Sequence, residues 1–312
     1  MRLKYIDGLV GFVVGDAMGV PLEFTKREDL LKKPVTKMIG NGTYNLPAGT
    51  WSDDTSMMIA TIDSINAKNT IDLKDIALKF AAFKNHASYT ATGEVFDIGN
   101  TCKMAIDKFE ENREDPTLCG INDINANGNG SLMRILPIAY YAIEKKLKEY
   151  EILELVRQIS SMTHAHEISV MGCYFYVRYV IFLLNGKDKF SAYSMAKCVD
   201  YGMFKEETQE VYKRLIKDDI SKVKVNEINS TGYIVDSLEA AIWVTLKSEN
   251  YKEAVIGAIN LGGDTDTIGA LTGALAGIIY GYDFIPEEWK DALAKKEYLM
   301  DIFEEFSENV YE

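Results

Sequence analysis

A chain of 312 residues, 47% hydrophobic and 26% charged, has the composition of a folded globular protein and enough length to bury a substantial core. Its formal net charge of −13 argues against a nucleic-acid groove, because phosphate backbones call for clustered Lys and Arg. Cys102, Cys119, Cys173 and Cys198 show no C-x-x-C spacing, and the opening "MRLKYIDGLVGF" has no signal-peptide pattern, so reduced thiols and a cytoplasmic location are expected.

In chain order, apolar residues recur at helical spacing over 5–14, 53–66, 73–85, 100–112, 131–146, 150–162, 168–184, 191–201, 206–217, 233–246 and 251–261. Ser52 and Asp72 precede two of these segments as natural N-caps. No sustained alternation predicts a sheet, there is no repeat, and none of the six prolines marks a boundary. The expectation is an all-α fold, a single compact multi-helix domain over 1–312. "TIGALTGALAGIIYGY" is apolar, with Gly269, Gly273 and Gly277 at the four-residue spacing of a membrane dimerisation face. It is shorter than the ~20 residues a bilayer requires and opens on Asp264 and Asp266, so it reads as the buried central helix of a soluble protein.

Four stretches break the helical pattern. "GDAMGVPLEF" reads as a glycine-punctuated turn that ends the first helix and carries Asp16 and Glu23. "GTWSDDTSMM" places Ser52, Asp53, Asp54 and Thr55 at a helix start, and "NANGNGSLMR" is an Asn/Gly turn running into a helix. In "INLGGDTDTIGALTGALAG", Asp264 and Asp266 are two residues apart, a spacing that points side chains to nearly opposite faces of a helix. Both reach one target only if Gly262 and Gly263 turn the chain sharply and the helix begins near Asp266.

Taken singly, each stretch is accounted for by capping and turn chemistry. Together they put five carboxylates (Glu23, Asp53, Asp54, Asp264 and Asp266) at turn–helix junctions with few basic residues nearby. Converging carboxylates repel one another unless protons or cations compensate. Two divalent cations supply four positive charges, and oxygen-only ligands suit Mg²⁺ or Mn²⁺ rather than Zn²⁺.

"GDAMGVPLE", "WSDDTSM", "GNGSLMR", "TGYIVDSLEAAIW" and "LGGDTDTIGALTGALAGIIYG" resemble, in order from about Gly15 to Trp289, the successive motifs of the ADP-ribosylglycohydrolases. The resemblance implies an all-α fold with a binuclear Mg²⁺ or Mn²⁺ centre in a cleft. It implies Ser52, Asp53, Asp54, Asp264, Asp266 and Thr267 as ligands, with Glu23 close by. Ser52 stands where Thr is more usual and keeps the hydroxyl. In "FDIGNTC", Asp97 and Gly99 resemble the loop that meets the substrate ribose in the arginine-type branch, while Cys102 departs from the hydroxyl or charged residue expected there. In "MTHAHEIS", His164 fits a family histidine lining the cleft; His166 and Glu167 are individual to this chain.

The expected chemistry follows from the bond. An N-glycosidic bond breaks through an oxocarbenium-like state, usually with two carboxyl groups. A metal pair can instead hold the ribose hydroxyls and orient the attacking water. Glu23 is the candidate to position or deprotonate that water or to hold the distal ribose, and Asp97 is a second acid–base candidate. "NGNGS" offers backbone N–H groups suited to a pyrophosphate, and Tyr233 a stacking surface for adenine. Asn100, Asn127, Gly128, Asn129, Gly130, Ser131, Met133, His164, Gly232 and Tyr233 form the expected substrate-binding set.

The expected partner is an ADP-ribosylated protein or a small ADP-ribose conjugate, the expected state a monomer, and the expected bond one to arginine. A serine-linked or free-nucleotide conjugate is the alternative. An isoprenoid-synthase reading fails at D-D-x-x-D, where Met57 holds the last position. The non-catalytic use of this fold in lens crystallins is disfavoured by the intact ligand set.

Overall fold

A computed structural model describes residues 3–112 and 115–311. At its centre the first helix, Leu3–Gly19, lies against the glycine helix, Thr265–Tyr280. Missing side chains make this approach possible. A Cβ on Gly15 would sit 2.0 Å from the Gly269 carbonyl oxygen, and one on Gly273 would sit 2.1 Å from that of Gly11. Backbone therefore packs directly on backbone, and nearly the whole glycine helix is buried.

This corrects the reading of "GDAMGVPLEF" as a turn. Gly15 and Gly19 lie inside the first helix, where they permit close approach, and the chain turns only afterwards, through the 3₁₀ segment Val20–Leu22. Asp16 is consequently a helical residue pointing inward, and it is fully buried.

Helices Asp53–Lys68, Glu167–Leu184, Ile234–Lys247 and Tyr251–Ile259 pack around the central pair and share one hydrophobic core that extends from Tyr5 to Phe306. Windows 5–22 and 167–184 have the length and hydropathy of membrane spans, but 94% and 89% of their residues are buried within the protein. The described residues contain no strand, only isolated bridges such as Ile121 with His164 and Gly128 with Tyr233.

The expected caps form. Ser52 Oγ accepts from the Asp54 N–H at 3.2 Å, and Asp72 accepts from Lys74 and Asp75, each at 3.0 Å. The helix expected over 131–146 divides into a 3₁₀ turn, Leu132–Arg134, and an α-helix, Leu136–Glu144, whose first turn holds Pro137. The one expected over 206–217 divides into Glu206–Val211 and Lys213–Ile216. Arg27–Lys32, Glu287–Ala292 and Lys296–Tyr311 are further helices that the sequence reading left out.

Candidate active site

Two glycines set the geometry. Gly262 and Gly263 have φ of 71° and 76°, a left-handed turn that side-chain-bearing residues rarely adopt. The helix then begins at Thr265 with Asp264 in the capping position. The turn is fastened to the segment after Glu23: the Phe24 N–H donates to Gly263 O at 2.7 Å, and the Gly263 N–H to Thr25 O at 2.9 Å. Thr267 Oγ1 donates to Asp54 Oδ2 at 2.9 Å, joining the start of this helix to the start of Asp53–Lys68. From the first helix, Asp16 accepts from the N–H groups of Ser52 (3.0 Å) and Thr55 (3.1 Å) and from Thr55 Oγ1 (2.5 Å). Three helix segments thus converge on one point.

Carboxylate oxygens of Glu23, Asp97 and Asp266 lie within 4.8 Å of one another there. Tyr44 Oη donates to Glu23 Oε2 at 2.6 Å, and the Gly99 N–H approaches Asp53 Oδ2 at 3.4 Å. The cleft above them has a volume of about 280 Å³. Its walls include Glu23, Asp53, Asp97, Asn100, Gly128, Asn129, Gly130, Met133, His164, Gly232, Asp264, Asp266 and Thr267. The sequence reading had selected all of these.

Other selected residues lie elsewhere. Ser52 and Asp54 are buried outside the lining, one as a cap and the other bound by Thr267. Asn127 spends its side chain on Ile124 O, His166 and Ser169, and the Ser131 hydroxyl sits between Ser160 and Cys173. Tyr233, 37% exposed, is not part of the cleft wall. The Asn129 N–H is committed to Gly232 O at 3.0 Å, and its Nδ2 donates to Asp264 Oδ2 and Ser237 Oγ, both at 2.9 Å. Asn129 therefore braces Asp264, and the expected N–H cradle is partly consumed internally.

The sequence reading gave no role to Asp16, Tyr44 or Phe24. Phe24 lines the mouth of the cleft, 71% exposed and with φ of 63°, a conformation costly for a bulky side chain. His166 proves to be a cap, accepting from the Ile168 N–H. Cys102 lines the wall, but burial pushes its thiol up to about 12, so it is a packing residue rather than a nucleophile.

The electrostatics are one-sided. Burial, reinforced by the charge of Asp97, pushes the Glu23 carboxyl up to about 8 against the lowering hydrogen bond from Tyr44. Burial first and neighbouring carboxylates second hold Asp53, Asp54 and Asp266 well above the ordinary range, and Asp97 is raised by burial and by Asp264. No cationic side chain is among the leading causes of these shifts. Buried carboxylates without basic partners need protons or a cation, and the donors present are all oxygen.

A wholly helical fold with an uncompensated acidic cleft at converging helix ends defines a recognisable class. The family model described as ADP-ribosylglycohydrolase matches residues 2–312. The chain is similar to the "ADP-ribosylarginine hydrolase Tri1" of Serratia proteamaculans, 30% identical over 310 residues that cover 97% of this chain and 78% of that protein. It is also similar to the "ADP-ribosyl-[dinitrogen reductase] glycohydrolase" of Rhodospirillum rubrum, 30% identical over 295 residues that cover 94% and 91%. A solved structure described as "ADP-ribosylglycohydrolase-related protein complex" shares the fold, with a TM-score of 0.82, 24% identity and coverage of 99% and 98%. The chain belongs to the ADP-ribosylglycohydrolase family and is an enzyme, a hydrolase acting on glycosyl bonds of ADP-ribose.

Proposed function

We propose that this enzyme hydrolyses the N-glycosidic bond between ADP-ribose and an arginine side chain, with two Mg²⁺ or Mn²⁺ ions held in the acidic cleft. The observation that carries the reading is the position of Asp97, with its carboxylate within 4.8 Å of those of Glu23 and Asp266 and no basic side chain beside it. A guanidinium leaving group is cationic and gains from a nearby carboxylate; a serine hydroxyl has no such need. The name of the Serratia relative, an ADP-ribosylarginine hydrolase, supports the same choice.

The residues present fit divalent cations of this kind, being oxygen donors with surplus negative charge in a buried setting. Asp53, Asp264, Asp266 and Thr267 on the cleft wall would hold them, with Ser52 and Asp54, buried just behind, as the remaining ligands that the family resemblance implies. When bound, the ions supply positive charge and Lewis acidity to the ribose hydroxyls and the water. Glu23 is oriented through Oε2 by Tyr44; with cations present to offset the surrounding negative charge it would be ionised, and its other oxygen serves as the base that takes a proton from the attacking water. Asp97 holds the guanidinium until the carbon–nitrogen bond breaks. The water oxygen ends on the anomeric carbon, the bonding pair leaves with the guanidine nitrogen, and the proton taken by Glu23 is returned to the departing guanidine, so the arginine leaves intact. The four cysteines are free thiols, in keeping with the reducing compartment expected from their spacing.

The test is incubation with an arginine-ADP-ribosylated peptide in Mg²⁺, Mn²⁺ or EDTA, followed by chromatography of free ADP-ribose. Metal-dependent release is expected. No release with either ion overturns the reading.

A further inference from the structure

Arg134 closes the stretch "NGNGSLMR", yet neither the cation site nor the nucleotide reading gives it a role. Its guanidinium is fully buried, and its partners among the described residues are a carbonyl, a hydroxyl and an aromatic ring. Both Nη atoms donate to Ile159 O at 3.2 Å, in the last turn of helix Glu149–Ser161, and the group lies 4.8 Å from the centre of the Phe80 ring. Nη2 also donates to Thr163 Oγ1 at 2.7 Å, while Nε has no partner. Keeping a charged group out of water without an anion is costly, so its retention asks for an explanation.

We propose that Arg134 and Thr163 form a relay that fixes His164 as the neutral tautomer protonated on Nε2, so that its ring presents one N–H donor to an oxygen of bound ADP-ribose. The relay follows from donor and acceptor counting. A guanidinium can only donate, so the Thr163 oxygen is the acceptor of that bond. The single hydroxyl proton is then directed at His164 Nδ1, 2.9 Å away. An Nδ1 that accepts carries no proton, which leaves the proton on Nε2. In the opposite tautomer two donors would converge on one hydroxyl, and its own proton would be left with the weak sulfur acceptor of Cys102.

The ring cannot easily reorient to escape this assignment. The His164 N–H donates to Ser160 O at 2.7 Å, Ser160 Oγ donates back to His164 O at 2.8 Å, and Ile121 clamps the residues on either side. The glycines of the opposite loop fit closely over the ring edge: a Cβ on Gly130 would lie 2.8 Å from Cε1, and one on Gly128 3.6 Å from Nε2. His164 lines the cleft, and Nε2 has no protein partner among the described residues. Burial and the charge of Arg134 push the ring down to about 3, so it stays neutral. Arg134 and Thr163 are thus positioning residues that act through His164. The inference rests on the reading of this cleft as an ADP-ribose site.

The test is ring-nitrogen NMR of ligand-free, ¹⁵N-histidine-labelled protein, with calorimetry of ADP-ribose binding in Mg²⁺. His164 should show a protonated Nε2 and an accepting Nδ1. Thr163→Val should lose that single-tautomer signature, weaken ADP-ribose binding by about three- to tenfold and raise KM more than it lowers kcat; Thr163→Ser should restore all three. A parent ring protonated on Nδ1 overturns the relay, and so does a Thr163→Val protein whose ring signature or ADP-ribose affinity equals the parent's. The parent spectrum decides the tautomer even if Thr163→Val fails to fold. It also needs no substrate, so it stands apart from the outcome on arginine conjugates.

Discussion

Thr267 donates a hydrogen bond to Asp54 at 2.9 Å across 213 residues of sequence, and through it the starts of two helices face one cleft. The carboxylates gathered there lack basic partners, so a divalent cation should stabilise the native state. Adding Mg²⁺ or Mn²⁺ should raise the melting temperature and EDTA should lower it. At a hundred times the dissociation constant the gain is about 2.7 kcal/mol. Melting curves that stay superimposed at millimolar concentrations of both ions would contradict the site.

Ligand and base should separate in mutants. Asp266→Asn removes a charge from the cluster and should abolish both turnover and the metal-induced melting shift. Glu23→Gln should keep a melting shift while slowing hydrolysis by ~10²-fold or more. Tyr44→Phe, which removes the 2.6 Å bond orienting Glu23, should cost less, about five- to tenfold. Steady-state kinetics check the order, and a Glu23→Gln enzyme as fast as the parent removes its assignment as base.

Much of this site is legible locally. The Ser52 cap, the Gly262–Gly263 turn and the helix Asn100–Asn112 follow from neighbouring residues alone, because caps, turns and periodicity are short-range. What failed to show is long-range. Asp16 bonds groups 36 and 39 residues away, and Tyr44 reaches Glu23 from outside every motif. Gly15 reads locally as a turn residue because only the distant Gly269 reveals that its missing side chain makes room for a backbone. The terminal helix Lys296–Tyr311 is a different matter: Leu299, Ile302, Phe303 and Phe306 carry the helical period openly and bury against the core.

The glycine contact makes its own prediction. Gly273→Ala would drive a methyl to 2.1 Å from the Gly11 carbonyl oxygen, where no side chain can yield, and should cost more than about 3 kcal/mol or prevent folding. Gly99→Ala meets nothing within 4 Å and should change stability by less than about 0.5 kcal/mol. Urea unfolding of the two proteins side by side tests the contrast; equal stabilities would refute the close-packed centre.

Glu239 supplies a pH dependence away from the cleft. Burial raises its carboxyl from 4.5 to about 7 despite Arg214 at 3.3 Å. Between those values the folded chain holds a proton that the unfolded chain has lost, so this group's contribution to stability falls as pH rises through that window. Glu239→Gln has no proton to lose. Relative to the parent it should gain up to about 3 kcal/mol on going from pH 5 to pH 8. An unchanged difference between variant and parent at the two pH values would remove the assignment.

The central claim concerns the bond that is cut. The most direct measurement compares ADP-ribose release from arginine-linked and serine-linked peptides, in Mg²⁺ and in Mn²⁺, by the parent and by Asp97→Ala. The account predicts faster release from the arginine conjugate by the parent, and a loss on that substrate when Asp97 is truncated. Faster cleavage of the serine conjugate, or an Asp97→Ala enzyme unimpaired on arginine, would contradict it.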